Sequence, residues 1–220
     1  MKQVKKIQNS KRKTEKSLSA SIPEDIREEQ SAGAGSELLG ISSLINELVE
    51  QNSVKKENVN TSIVLQDYVD WSSVLIPLQE TIKSEYNFSA DFVDFKHDLS
   101  NLLEIDAQIE TGISNADLVT CMFVFNELFA DKAKVMQFIS LLTNKLQPGK
   151  LFLLVDSAGS FSQVTVGKNQ YMSYTFFDSL KSKFQVVYSS DSKWFRFNQN
   201  LSYNIPIENM RYFVRLYRKL

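Results

Sequence analysis

The sequence has little of the two residue types on which many metal and redox sites depend, because its 220 residues include one cysteine and one histidine. Cys121 alone cannot form an intrachain disulfide, and one thiol with one imidazole cannot build a zinc site. No apolar run is long enough to span a bilayer, and the N-terminus lacks the apolar segment of a secretion signal. These absences predict a soluble intracellular protein with no metal and no membrane partner.

Charge is balanced overall but not along the chain. The net charge of -1 favours neither a nucleic-acid nor a membrane partner, whereas the first sixteen residues carry seven lysines and arginines against Glu15. This segment has too little apolar content to order itself, so we predict a disordered basic arm or linker at residues 1–31 and a domain at residues 32–220. Such an arm could direct nuclear import or contact RNA phosphates through its charge.

Apolar residues recur first at helical spacing and then in short strand-like runs. We predict helices over residues 36–49, 71–86, 131–146 and 175–184, and strands over residues 61–67, 88–95, 117–125, 151–155, 185–188, 194–197 and 210–217. Strands that alternate with helices indicate an α/β fold with a mostly parallel sheet, and the last two β-rich segments indicate a C-terminal antiparallel hairpin. The combination is typical of class I methyltransferases, whose ligands lie at the carboxyl ends of the strands.

A glycine turn opens the first predicted helix. Gly33 and Gly35 would let the backbone turn tightly and approach a ligand, and the helix N-terminus offers free N–H groups. Leu38 stands where the dinucleotide fingerprint requires a third glycine, which argues against a nicotinamide cofactor. The alternative is a flexible glycine-alanine linker.

Two carboxylates follow the next predicted strands. Asp67 could accept both hydroxyls of a ribose, although Asp70 competes for that role and either residue could instead cap a turn or helix. Asp98 could accept the exocyclic amine of adenine. The neighbouring His97 is the sequence's one histidine, and a lone histidine is more often a surface or core residue than a catalyst.

Polar residues also follow the strands predicted at residues 117–125 and 151–155. Asn126 could bind a base edge through its donor and acceptor, and Glu127 could take a proton from a weakly acidic nitrogen. The alternative is a pair that satisfies N–H groups at a helix start. Residues 156–162 form a polar loop in which Phe161 could stack on a base, or an ordinary surface loop.

Several longer stretches resemble the fungal 25S ribosomal RNA uridine-N3 methyltransferase family of class I S-adenosylmethionine-dependent enzymes. They are GAGSELLGISSL, DYVDWSSVL, VFNELF, LLVDSAGSFSQVTVGK and DSKWFRFNQNLSYNIPIENMRYFVRLYRK, which together extend from about residue 32 to the last residue. The resemblance implies S-adenosylmethionine as methyl donor, a uridine of large-subunit rRNA or a pre-ribosome as partner, and residence in the nucleus or nucleolus and the cytoplasm.

The resemblance also assigns residues by position. Gly33, Gly35 and Glu37 match the cofactor turn, and Asp67 matches the acid after the second strand. The remaining match is a segment near the reacting base, which contains Asn126 and Glu127.

The sequence departs from this pattern at its front. The family has an apolar strand before the glycine turn, whereas Ile26 is the one strongly apolar residue in residues 23–31. The first strand is therefore expected to be missing or replaced, with free neighbouring edges and impaired activity. A second hypothesis is a non-catalytic RNA-binding or ribosome-assembly protein, and a third is a nicotinamide-dependent oxidoreductase. The second would use the basic arm and the cationic run Arg211, Arg215, Arg218 and Lys219.

Overall fold

The computed structural model describes residues 35–52, 60–88, 93–159, 162–166, 168–202 and 206–220. The chain divides into two units, Met1–Gly33 and Ala34–Leu220, and every described residue lies in the second. The basic arm expected at residues 1–31, its boundary with the domain and the turn residue Gly33 lie outside the described residues. They stay predictions.

Helices and strands alternate along most of the described chain. The helices are α1 (Ser36–Gln51), α2 (Ser72–Glu85), α3 (Ala107–Asn115), α4 (Phe125–Leu128), α5 (Lys132–Lys145) and α6 (Tyr174–Ser179). The strands are β1 (Thr61–Asp67), β2 (Val93–Leu99), β3 (Leu118–Met122), β4 (Leu151–Ser157), β5 (Gln163–Val166), β6 (Asn169–Met172), β7 (Phe184–Phe195) and β8 (Met210–Lys219). Within these ranges, no helix combines the length and apolar content needed to cross a membrane.

The strands pair both in parallel and antiparallel. β1 lies parallel to β2, with Asp67 opposite Leu99 at their carboxyl ends. The order β3–β4–β8–β7 forms a second sheet, in which β3 and β4 are parallel and β8 runs antiparallel to both β4 and β7. β5 and β6 form a short antiparallel hairpin after β4. The predicted α/β class, with parallel strands and a C-terminal antiparallel pair, is confirmed.

The larger core lies against β4. Its Phe152 and Leu154 are fully buried and alternate with the half-buried Leu151 and Leu153, as the two-residue period of a strand requires. The Phe152 ring centre lies 4.9 Å from that of Phe177 in α6. Aromatic packing of this kind fixes α6 against the sheet near the start of β4.

A smaller, separate core covers β1 and β2. Its buried members are Leu38, Val49, Ile63, Ile82, Phe88 and Val93. Within the described residues, β1 pairs with β2 alone and β3 pairs with β4 alone, so one edge of each strand has no partner there. A missing first strand would leave these neighbouring edges free. Residues 23–31, to which that prediction refers, lie outside the described part of the chain.

The prediction of a strand at residues 117–125 was wrong at its end. β3 stops at Met122 instead of continuing to residue 125. Phe123 takes a left-handed conformation with φ of 59° and donates its N–H to the Val155 carbonyl at 2.8 Å. The apolar run continues because Phe125 is buried from the first turn of α4, and periodicity alone does not separate a buried strand from a buried helix.

Other differences lie in short or irregular elements. The sequence did not predict α3 or the β5–β6 hairpin, and β2 begins at Val93 instead of residue 88. β7 is one continuous strand because two register shifts, between Val186 and Tyr188 and between Ser190 and Lys193, accommodate its polar middle.

Candidate active site

Three carboxylates lie at the carboxyl ends of β1, β3 and β4. Asp67 is the last residue of β1, Glu127 lies in α4 directly after β3, and Asp156 is the second-last residue of β4. The pKa of Glu127 is raised, first by desolvation and then by the negative charges of Asp156 and Asp67. A charge acts on a neighbouring pKa only at short range, so the three strand ends share one electrostatic environment.

Asp67 is held by the turn that follows it. Its carboxylate accepts the Val69 N–H at 2.9 Å and the Trp71 indole N–H at 3.2 Å. Its carbonyl accepts the Ser100 N–H at 3.1 Å, which joins the ends of β1 and β2. The half-buried carboxylate is thus oriented, and each oxygen keeps a lone pair for a further donor.

Asp70 has a local task. It is exposed, its carboxylate accepts the Ser72 N–H at 2.9 Å at the start of α2, and its hydrogen bonds with Ser72 are the leading causes of its lowered pKa. His97 is also exposed and its Nε2 contacts the side-chain amide of Gln79. Asp98, next to it, is half-buried and points to the other face of β2, one residue before the strand ends.

Gly35 begins α1 in a left-handed conformation with φ of 86°, and no side-chain hydrogen bond caps the helix. The free side of the glycine is filled by α2, because an added Cβ would lie 2.5 Å from Leu75 Cδ2 and 3.0 Å from Leu78 Cδ2. Glu37 lies in the first turn and accepts a hydrogen bond from the Ser36 hydroxyl at 3.2 Å. The turn is therefore fixed by packing against α2, which is immediately preceded by Trp71, the partner of Asp67.

Asn126 follows the backbone kink at Phe123. The neighbouring Phe125 is fully buried, with its ring centre 5.3 Å from that of Phe177, and this anchors the short helix that carries Asn126. The Asn126 Oδ1 atom is buried and has no hydrogen-bond partner among the described residues. A left-handed phenylalanine beside an unpartnered amide oxygen is the kind of local cost that clusters at functional sites.

Asp156 is a site residue that the sequence reasoning missed. It is 2% exposed, and its Oδ1 accepts the Ser162 hydroxyl and the Ser157 N–H, both at 2.7 Å. Its Oδ2 has no partner among the described residues. A buried carboxylate oxygen without a donor is costly, which indicates a place for a ligand donor or cation. The sequence feature that could have identified Asp156 is its position, since it is an acid that directly continues the apolar run of β4.

The predicted residues are thus only partly brought together. Glu127 shares the electrostatic environment of Asp67. Gly35 packs against α2, which directly follows the Trp71 that contacts Asp67 at the end of β1. Asp98 lies on the neighbouring strand, and Phe161 lies outside the described residues. Over the described ranges, no three carboxylate, imidazole or thiol side chains form a group that could hold a metal ion, so the three acids do not make a metal site.

A family model described as "Putative SAM-dependent methyltransferase" matches residues 2–218. The chain belongs to this family. The match starts well before residue 32, where the resemblance of the longer stretches begins, so the N-terminal segment is part of the family pattern.

A curated relative extends the comparison. The chain is 34% identical over 216 residues to the 25S rRNA (uridine(2843)-N(3))-methyltransferase of Saccharomyces cerevisiae. The match covers 85% of this chain and 58% of the relative. The chain therefore spans little more than half the length of that protein.

Two solved structures have a limited likeness to the fold. TehB from Haemophilus influenzae is 13% identical with a TM-score of 0.45, and the match covers 79% of this chain and 62% of the TehB chain. The N-methyltransferase NodS from Bradyrhizobium japonicum WM9, in complex with S-adenosyl-l-homocysteine, is 11% identical with a TM-score of 0.40 and covers 86% and 89%.

The described side chains fit S-adenosylmethionine, the cofactor of this methyltransferase family. The cofactor carries a sulfonium and an ammonium cation, and the acids Asp67, Glu127 and Asp156 offer the opposite charge. The unpartnered Oδ2 of Asp156 and Oδ1 of Asn126 supply buried acceptors at the same edge.

Proposed function

We propose that this chain is an S-adenosylmethionine-dependent methyltransferase that acts on N3 of a uridine in large-subunit rRNA. Family membership supports methyl transfer, and the name of the yeast relative supports the acceptor. The observation that carries the proposal is the pairing of a buried, unpartnered Asn126 Oδ1 with the adjacent Glu127, whose pKa is raised at the end of β3.

The acceptor chemistry requires both an orienting group and a base. Uridine N3 carries a proton and is a poor nucleophile until that proton is lost. Asn126 can hold the base edge, because its amide offers a donor and an acceptor together. Glu127 can accept the N3 proton as the N3–carbon bond forms and the sulfur–carbon bond breaks. A positioned carboxylate of this kind contributes about 10²–10⁴-fold to the rate.

The cofactor supplies the methyl group on a positively charged sulfur that leaves as a neutral thioether. In the proposal, Asp67 accepts the ribose hydroxyls and Asp98 accepts the adenine amine. The N-terminus of α1, with Gly35 and Glu37, completes the cofactor side of the site. Asp156 faces the same edge with its free Oδ2 and adds negative charge there.

The target must be accessible before these groups can act on it. A base in folded RNA is unstacked, or already single-stranded, when it enters an enzyme pocket. The proposed partner is therefore large-subunit rRNA or a pre-ribosome, met in the nucleus or nucleolus and the cytoplasm. A fluorescent fusion that stays outside these compartments would contradict the proposed localisation.

The test is restoration of N3-methyluridine in rRNA from Saccharomyces cerevisiae cells that lack the relative, measured by mass spectrometry of nucleosides. The chain should restore the modified nucleoside, and Glu127→Gln should reduce it at least tenfold, because a general base contributes about 10²–10⁴-fold to the rate. Glu80→Gln, on the exposed part of α2, is the matched control and should leave restoration unchanged. Absence of the nucleoside with the unaltered chain at normal abundance would refute the enzymatic proposal.

A second candidate is a non-catalytic RNA-binding or ribosome-assembly protein. The free edges of β1 and β3 within the described residues favour it. This candidate predicts salt-dependent RNA binding without methyl transfer. Isothermal titration with S-adenosylmethionine separates the two, since a protein of the second kind needs no cofactor affinity.

A further inference from the structure

The joined ends of β7 and β8 expose aromatic and apolar side chains beside cations. Trp194 is 56% exposed and pairs in register with Arg211, while the exposed Phe195 pairs with Met210. Arg196 follows directly after β7. Large apolar side chains are usually drawn into a core, so this cluster at a strand end indicates a contact surface.

The cations lie close to the aromatic rings. The Arg196 guanidinium is 5.7 Å from the ring centre of Trp194, and Lys193 Nζ is 4.9 Å from that of Tyr188. Arg211 donates from Nη2 to the Ala158 carbonyl at 2.6 Å, which fixes its position. A flat ring flanked by fixed positive charges matches a nucleotide, which joins a stacking base to a phosphate.

This surface adjoins the candidate active site. An open depression of about 450 Å³ is lined by Trp194, Met210, Arg211 and residues 157–159. Those last residues directly follow Asp156, and the carboxyl ends of β3 and β4 lie at the same edge of the sheet. A strand of RNA in the depression would therefore lead toward the site.

A second depression continues the surface. It measures about 460 Å³ and is lined by Phe197, Gln199, Ile207, Glu208 and Asn209. Asn209 lines both depressions and accepts the Phe197 N–H at 2.8 Å. Together they offer room for more than one nucleotide.

We infer that the surface formed by Trp194, Arg196, Arg211 and the two depressions binds single-stranded RNA next to the target uridine. Trp194 stacks on a base, and Arg196 and Arg211 contact phosphates. The inference rests on the proposed function and names the part of the chain that holds the substrate outside the reacting base.

Charge favours RNA over a protein partner. Lys193, Arg196 and Arg211 are exposed at this end of the hairpin, and Asp191 is engaged by Arg215. Glu208, in the second depression, is the acid that opposes them. An apolar protein interface would be depleted of charge at its centre, whereas here cations stand directly beside the rings.

The experiment measures the affinity of the full chain for a short fluorescein-labelled oligouridine by anisotropy, as a function of salt. Trp194→Ala should weaken binding roughly 5- to 100-fold, the range for loss of one base–aromatic stack. Trp194→Phe should restore most of it, whereas Trp194→Leu, which keeps apolar area without a π face, should not. Arg196→Ala should weaken binding and reduce the salt slope by about one.

Lys181→Ala is the matched cation control. Lys181 is exposed just before β7, at the far end of that twelve-residue strand from Trp194. Its removal should leave both affinity and salt slope nearly unchanged. Circular dichroism of each variant confirms that the fold is retained, and Trp194→Phe provides a mild variant if Trp194→Ala does not fold.

The outcomes separate this inference from the proposed function. Oligouridine binding that depends on Trp194, without methyl transfer to rRNA, would support the RNA-binding surface and refute the enzymatic proposal. Methyl transfer by the unaltered chain, together with unchanged oligouridine affinity in Trp194→Ala, would refute the RNA-binding surface and support the enzymatic proposal. Loss of a self-association in Trp194→Ala, seen by light scattering with RNA affinity unchanged, would assign the surface to a protein contact and overturn the inference. So would failure of the unaltered chain to bind oligouridine.

Discussion

Gly35 lies against Leu75 so closely that a Cβ on the glycine would come within 2.5 Å of Leu75 Cδ2. The contact joins the start of α1 to α2, and Trp71, which holds the Asp67 carboxylate, immediately precedes α2. The glycine of the predicted cofactor turn is therefore required by packing and by its φ of 86°, before any ligand is considered. A cofactor bound at this turn, as proposed, would depend on the same residue.

Replacement of this glycine should be costly. Gly35→Ala combines a left-handed conformation that disfavours side chains with a clash against Leu75, so we expect a loss of about 2–4 kcal/mol in the free energy of unfolding. Gly40→Ala is the matched control, because nothing lies within 4 Å of its added Cβ and the site is inside α1. It should stabilise by about 0.5–1 kcal/mol. Urea denaturation measures both, and equal effects would contradict the packing role.

Asp67 and Asp70 can be separated by cofactor titration. Asp67→Asn should weaken S-adenosylmethionine binding at least about tenfold, since a charge-assisted hydrogen bond contributes roughly 1.5–3 kcal/mol. Asp70→Asn should change it less than about twofold, because Asp70 caps α2 and faces solvent. Isothermal titration calorimetry gives both affinities. A larger loss in Asp70→Asn would show that the ribose acid is Asp70.

Long, regular elements could be predicted from the sequence because pattern and packing agree there. The apolar run of β4 is buried as its composition requires, and Asp131 caps α5 by accepting the Ala133 and Lys134 N–H groups. α3 was missed because it has nine residues, includes Gly112 and buries two isoleucines, Ile109 and Ile113. Its capping aspartate was a weak signal on its own.

The site was less predictable than the fold, because side-chain partners depend on tertiary contacts. Asp156 reads in sequence as the first residue of a polar loop, whereas β4 continues through it opposite Phe213 in β8. The cationic C-terminal run also misled, since Arg215 and Lys219 are buried and face away from solvent. That run therefore does not form one RNA-binding surface, and Arg211 and Arg218 are its exposed members.

The buried Arg215 should matter for stability. Its guanidinium lies 3.8 Å from the Tyr174 ring centre and donates to Asp178 and Asp191, while the Tyr217 hydroxyl donates to Asp178 at 2.8 Å. Arg215→Ala removes these contacts and leaves the Asp178 carboxylate, which is 33% exposed, without its cation, so it should destabilise by about 1.5–3 kcal/mol.

Arg218→Ala, at an exposed position on the same strand, is the control for the arginine cluster. It should change stability by less than about 0.5 kcal/mol. Thermal and urea unfolding compare the two variants. An Arg215→Ala effect as small as that of Arg218→Ala would mean that the cluster contributes nothing beyond surface charge.

The titration of Glu127 should make stability depend on pH. Its pKa is raised in the folded chain, by desolvation and then by Asp156 and Asp67, so its charged form is less favourable there than in the unfolded chain. Its contribution to stability is present below the unfolded pKa and is lost as pH rises through the folded pKa. Glu127→Gln should therefore unfold at the same temperature as the unaltered chain at about pH 3.5 and at a higher temperature above about pH 6.

The gain in unfolding temperature of Glu127→Gln should be small because Glu127 is largely exposed and solvent screens its charge. Saturating S-adenosylmethionine should shrink it, since the bound cation offsets the repulsion among the acids. Melting scans across this range provide the measurement, with Glu80→Gln as a control that should show no such trend. A Glu127→Gln difference that is independent of pH would place Glu127 away from the other two carboxylates and remove the electrostatic basis for its role as the base.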